Sequence, residues 1–325
     1  MPDRRHFLTL TAAALAAPML ARAQGMAQGI DAAAARMDQL RALVVHQNGQ
    51  RAFAQAFRGP AVDRPANVKS VSKTILALLT GIAIDRGVIR GVDQLVLPIL
   101  GHSGFGDARD RLSIGNLLTM QTGLASTSGG NYGAWVSSRD WVESALARPE
   151  GQPGGRFIYS TGGWHVLGAA LARASGQSLH RLAQDWLAAP LDIRIPPWIA
   201  DPQGRFLGGN DMAISPLGLA RIGDMVLAGG RAGDRQVVSR DWITQSWQSR
   251  TRSPFSGDNY GYGWFLTRYG GQSGYYARGY GGQMLALIPA RGLSVAITSD
   301  PDRPARGDGY FGELRRLVDQ IAAQA

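Results

Sequence analysis

Ser70-Val71-Ser72-Lys73 puts a hydroxyl and an amine three residues apart at the start of an apolar-periodic segment. On a helix, positions i and i+3 share a face, so this amine can reach this hydroxyl. That is what a serine nucleophile needs from its proton acceptor. A serine at a helix start also has a free backbone N–H and the positive end of the helix dipole beside any oxyanion that forms there. Lys73 lies in the same first turn, where a cation is electrostatically misplaced. The dipole lowers its pKa, which suits a base better than a structural charge. Alone, the motif is weak: average residue usage gives on the order of one chance S-x-x-K in a chain this long. An N-cap serine beside a surface lysine would read the same way.

Two further stretches hold chemistry-bearing residues. Phe157-Ile158-Tyr159-Ser160-Thr161-Gly162-Gly163 runs from extended chain into a helix. A lone Tyr159 would be a buried aromatic with its hydroxyl satisfied. A phenol titrates near about 10, so it serves as a base only where a cation such as protonated Lys73 stabilises the phenolate. Tyr275-Tyr276-Ala277-Arg278-Gly279-Tyr280-Gly281-Gly282-Gln283-Met284 reads either as a Gly-rich β-bulge or as a strand edge whose backbone comes close to a substrate. In the second case one of its N–H groups can complete an oxyanion hole.

Composition narrows the chemistry. The chain has 325 residues and no cysteine, which removes thiol nucleophiles, Cys-rich metal sites and disulfides. Of its 34 Lys+Arg residues only two are lysines, Lys69 and Lys73. Where a positive charge is merely solvated this sequence uses Arg; a Lys hints that a removable proton is wanted. The net charge is +10, but the basic residues are scattered, so a solvated surface fits better than a nucleic-acid partner.

The first residues read as an address. Arg4-Arg5 precede Phe7-Leu8, an apolar run extends to Leu20, and Ala21-Arg22-Ala23 has the A-x-A cleavage pattern. The run is too short to span a bilayer. We expect residues 1–23 to be a twin-arginine signal peptide. The export machinery would then be a transient partner, and the mature protein periplasmic or secreted.

Residues 31–41 read as a helix. Asn48-Gly49 joins two apolar stretches, 43–46 and 53–57, in a hairpin. The helix from Ser70 to Arg86 is closed by Gly87. Helical segments are expected at 112–120, 139–147, 163–175, 178–188, 216–228 and 239–248, strands at 260–268, 274–279, 283–288 and 293–299, and a last amphipathic helix from about 309 to 324. The implied class is α+β: an antiparallel sheet built from both chain ends and flanked by helices, with an inserted all-helical lobe. The sheet lobe would take about 31–80 and 246–325, the helical lobe about 81–245, within one domain over 24–325.

Taken together and in this order, the three stretches resemble the serine β-lactamase-like superfamily. That group includes class C β-lactamases, D-alanyl-D-alanine carboxypeptidases, certain carboxylesterases and aminohexanoate-dimer hydrolases. The resemblance runs over roughly 36–300 and takes in Ile114 to Leu124, Pro153-Gly154-Gly155 and Ala220-Arg221-Ile222-Gly223. It implies a β-lactamase/transpeptidase-like fold in which Ser70 attacks and Lys73 and Tyr159 move its proton. The N–H groups of Ser70 and Tyr280 would hold the oxyanion. Tyr132, Thr161, Arg278, Gly279 and Gly281 are the candidates for substrate contact, and neither cofactor nor metal is expected. The substrate would be a small ester, amide or peptide-like molecule.

Two departures qualify the resemblance. The third position of the Y-x-N element is Thr161, and the Lys/His-Thr/Ser-Gly strand triplet appears as Ala277-Arg278-Gly279. Strand alternation would aim Arg278 away from its neighbours' face. We therefore expect esters or linear amides to be preferred over β-lactams. The alternatives are a β-lactamase or D-alanyl-D-alanine carboxypeptidase, or a non-catalytic penicillin-recognising receptor. His102-Ser103-Gly104 matches the triplet by letters alone, and His165 reads as a packed helix histidine. A Ser-His-Asp hydrolase would need a G-x-S-x-G elbow, which no serine here has.

Overall fold

The computed structural model describes residues 29–307 and 309–325; the expected signal peptide lies outside them. Eight antiparallel strands form the main sheet: β1 (Leu40–Gln47), β2 (Gln50–Ala56), β3 (Thr251–Arg252), β4 (Asn259–Tyr260), β5 (Phe265–Tyr269), β6 (Gln272–Gly279), β7 (Gln283–Ile288) and β8 (Leu293–Ser299). Their spatial order is β2-β1-β8-β7-β6-β5-β4-β3. The two chain ends thus share one sheet, as expected of the α+β class. Asn48 and Gly49 take left-handed conformations at the β1–β2 turn, the geometry that Asn-Gly supplies with little strain.

Two expectations fail for a shared reason. The helix expected over 31–41 stops at residue 35, and Leu40 already belongs to β1. The strand expected over 260–268 is interrupted at 261–264. In both places tertiary packing overrides the local pattern. β1 is almost wholly buried between β2 and β8, so its run of apolar residues has strand meaning. At the interruption, a Cβ on Gly261 would lie 2.0 Å from the Ser246 carbonyl oxygen, and one on Gly263 2.8 Å from the Ala77 Cβ. The chain must leave the ladder there to dock.

α1 (Val71–Asp85) runs through the middle of the molecule, buried from Val71 to Ala83. A helix apolar all round needs neighbours on every side. It has β6 and β7 on one flank and α2 (Thr161–Ser175) on another. Trp242 seals it, donating its indole N–H to the Ala77 carbonyl at 3.1 Å. α3 (Pro216–Leu227) falls in the stretch expected to form the helical lobe, yet it packs on β1, β7 and β8. α4 (Tyr310–Gln324) covers the sheet near β5.

Candidate active site

Ser70 is the residue just before α1, and its hydroxyl caps no backbone N–H. The use that would have made it an ordinary N-cap is therefore absent. Lys69, immediately before it, has φ +49, an uncommon conformation for a side chain of that size. Its N–H donates to Asn67 Oδ1 at 2.8 Å. The nucleophile candidate thus sits on a sharp elbow between an extended segment and a helix.

Lys73 Nζ is buried and makes three contacts: 3.0 Å to Ser70 Oγ, 3.3 Å to Thr161 Oγ1 and 2.7 Å to the Gly209 carbonyl oxygen. Burial lowers its pKa from 10.5 to about 7, against the opposing pull of the Asp211 carboxylate. Near neutral pH a good share of these amines carry a free lone pair, 3.0 Å from a hydroxyl. Tyr159 has the opposite character. Burial raises its phenol pKa, while the adjacent Ser70 hydroxyl and the charge of Arg278 pull it back. Lys73 Nζ stands 5.0 Å from the centre of the Tyr159 ring. A lowered amine and a raised phenol disfavour a phenolate–ammonium pair. The geometry equips Lys73 to accept a proton and Tyr159 to supply one.

A two-residue ladder, Ala66–Asn67 with Ala213–Ile214, brings a distant loop to this elbow. Val68 N–H donates to the Met212 carbonyl, and Met212 N–H to Ser72 Oγ. Beside Ser70 this leaves Asn210, whose Oδ1 lies 3.5 Å from Ser70 Oγ and whose Nδ2 donates to Tyr132 Oη at 3.3 Å. Asp211, with φ +60, accepts from Asn67 Nδ2 at 2.8 Å and pairs with Lys69 Nζ at 3.3 Å. Both lysines of the chain therefore stand at the site. The sequence reading missed Gly209, Asn210 and Asp211. Their only local signal is the turn-forming cluster Gly208-Gly209-Asn210-Asp211, and no spacing rule links it to Ser70.

Tyr132 is half-buried at the rim beside Asn210. Thr161 spends its hydroxyl on Lys73 and on Ser128 Oγ, 3.0 Å away, and its N–H donates to that same Ser128 oxygen. Thr161 thus braces the lysine amine from the start of α2. Arg278 turns to the other side of the sheet: its guanidinium bonds the Ala305 carbonyl at 2.6 Å and stacks 3.7 Å from the Phe311 ring centre on α4. Gly279 has a packing reason to be glycine, since a Cβ there would lie 2.4 Å from the Val68 carbonyl oxygen. Gly281 likewise abuts the Asp300 carbonyl, at 2.1 Å from an ideal Cβ. These two buried glycines press the end of β6 and the turn after it against their neighbours. The Gly279 contact with Val68 and Lys69 brings the next residue, the 56% exposed Tyr280, to the nucleophile's elbow. Among the described residues, neither the Ser70 N–H nor the Tyr280 N–H takes part in the backbone bonds that link turns and loops, which suits a pair that receives a developing oxyanion.

Three of the four described histidines lie away from this centre. His46 pairs with Asp224, and His102 with Glu143. His180 contacts the Ile195 carbonyl at 3.1 Å. His165, fully buried on α2, contacts Asp201 Oδ2 at 3.0 Å. Among the described residues no group of three or more His, Asp or Glu side chains is placed to hold a metal ion.

Comparison with known proteins gives the family and the fold. The Beta-lactamase family model matches residues 21–320. A 6-aminohexanoate-dimer hydrolase from Paenarthrobacter ureafaciens is 25% identical over 311 residues, 84% of this chain and 77% of that protein. A penicillin-binding protein homologue from Caulobacter crescentus superposes with a TM-score of 0.74 at 17% identity, covering 94% of this chain and 98% of the other. A family VIII carboxylesterase does so with a TM-score of 0.71 at 16% identity, covering 91% and 97%. At such identities the structural matches speak for the fold alone, and the family match for descent. The chain belongs to the Beta-lactamase family, with the mixed sheet-and-helix fold of its serine hydrolases.

Proposed function

We propose that this protein is an exported serine hydrolase that cleaves small esters or linear amides through an acyl-enzyme on Ser70. The observation that carries the reading is the buried Lys73 amine, 3.0 Å from Ser70 Oγ with a pKa near 7. In acylation, neutral Lys73 takes the Ser70 proton as Oγ bonds to the substrate carbonyl carbon. The carbonyl oxygen becomes an oxyanion beside the N–H groups of Ser70 and Tyr280. As the intermediate collapses, the bond to the leaving group breaks. The leaving oxygen or nitrogen takes a proton from Tyr159, which regains one from Lys73. Water, deprotonated by the same groups, then attacks the ester on Ser70 and releases the acid.

Substrate preference follows from what stands around the nucleophile. The cations nearest it, Lys69 and Lys73, are both engaged within the protein, and Arg278 faces α4. A β-lactam carboxylate would have to be desolvated without a free cation to meet it. Losing one or two charge-assisted contacts, at about 1.5–3 kcal/mol each, weakens selection by roughly one to four powers of ten. The test is kcat/KM for p-nitrophenyl butyrate against nitrocefin under one set of conditions. The ester should win by at least tenfold. Nitrocefin winning by that margin would favour the β-lactamase reading, and no turnover of either the non-catalytic receptor.

A further inference from the structure

We propose that His165 is a positioning residue for Lys73: it holds the Gly208 N–H, and the peptide that follows presents the Gly209 carbonyl to the lysine amine. The inference rests on the reading of Lys73 as the base. A neutral primary amine has two N–H bonds and one lone pair. For the lone pair to face Ser70 Oγ at 3.0 Å, both N–H bonds need acceptors elsewhere. The Gly209 carbonyl at 2.7 Å is the closer of the two available, Thr161 Oγ1 at 3.3 Å the other. The aim of the lone pair therefore depends on where the Gly209 carbonyl stands.

That carbonyl belongs to a loop, and loops move unless they are held. Here the loop is pinned from below. A Cβ on Gly208 would lie 2.3 Å from the Trp164 carbonyl oxygen, and one on Gly209 2.5 Å from Trp164 Cβ and 2.9 Å from Lys73 Cγ. The two glycines lie flat on the start of α2 and on the lysine's own stem. The Gly208 N–H donates to His165 Nδ1 at 3.2 Å. Nδ1 must then be unprotonated, which leaves the proton on Nε2, facing Asp201 Oδ2 at 3.0 Å. Asp201 is itself fixed by the Arg205 guanidinium at 2.6 Å and by the N–H groups of Gln203 and Arg205. Trp135 and Trp141 meet the imidazole edge-on, with ring centres 5.8 and 5.5 Å away, and lock its orientation. Asp201 thus sets the tautomer, the tautomer holds Gly208, and Gly208 carries the carbonyl that orients Lys73. Burial lowers the His165 pKa, which keeps the ring in the neutral form this chain of contacts requires.

Two substitutions separate the two ring nitrogens. His165→Asn puts an amide oxygen where Nδ1 stood, so Gly208 keeps its acceptor. His165→Gln puts its amide where Nε2 stood, so Asp201 keeps its donor and Gly208 loses its acceptor. The readout is the second-order rate at which a fluorophosphonate labels Ser70, with melting temperatures to establish folding. The glutamine variant should react about 10–100-fold more slowly than wild type, and the asparagine variant at least threefold faster than the glutamine one. A glutamine variant less than tenfold slowed, or an asparagine variant with no such recovery, overturns the inference while leaving Ser70 as nucleophile. A wild type that resists the probe overturns the reading of the site and this inference with it. Should the glutamine variant not fold, 15N NMR of wild-type protein labelled at histidine decides: the Nε2–H tautomer supports the proposal, and Nδ1–H or imidazolium overturns it.

Discussion

At the scale of the residue, the proposed mechanism asks the amine of Lys73 to do what Arg cannot, which is to give up its proton and take another. Lys73→Arg keeps the charge and should lose about 10²–10⁴ in kcat/KM, the usual cost of removing a general base; a variant within threefold of wild type would mean that the amine acts only as a charge. With the folded pKa near 7, kcat/KM should rise with pH through about 7 and then level off. The same shift acts on stability, and its sign is fixed. Between about 7 and 10.5 the unfolded chain holds a proton that the folded one does not. Unfolding therefore takes up a proton there, and this lysine's contribution to stability increases as pH rises through that window. Denaturant titrations at the two ends should show the rise in wild type and a smaller one in Lys73→Met. Ser70 and Lys73 were legible in the sequence because one helical turn fixes their relation. Gly209, Asn210 and Asp211 were not: a two-residue ladder between distant segments sets their place, and Asn210 follows Ser70 by 140 residues in sequence.

At the scale of the element, the end of β6 against the turn before α1 decides whether the proposed oxyanion hole can form. Gly279→Ala would drive a methyl group to 2.4 Å from the Val68 carbonyl, so strand and elbow must separate. We expect a loss of about 1–3 kcal/mol, the usual range for overpacking, together with a fall in kcat/KM. Melting temperature and kinetics measured together check this, and an unchanged rate would detach Tyr280 from the oxyanion role. The outward turn of Arg278 was readable from strand alternation alone. The break at 261–264 was not, because the docking of Gly263 on α1 that forces it is a tertiary fact. Likewise, the end of the first helix could not be placed while the partners of β1 were unknown.

At the scale of the whole molecule, the twin arginines and Ala21-Arg22-Ala23 predict export followed by cleavage after Ala23. Protein recovered from the periplasm should begin at Gln24, and an N-terminus at Met1 in that fraction would contradict it. The α+β class was legible because the strand-rich segments lie at the two chain ends and helices fill the middle. The assignment of α3 to the sheet needed its packing, since its amphipathic pattern says that one face is buried and nothing about which partner buries it. Such a fold hosts several chemistries, so function has to be argued from the side chains at the elbow. The most direct measurement is to treat the folded protein with a fluorophosphonate and locate the adduct by peptide mass spectrometry. A single adduct on Ser70, absent in Ser70→Ala, is the result expected here; labelling at another residue, or wild-type turnover in Ser70→Ala, would contradict it.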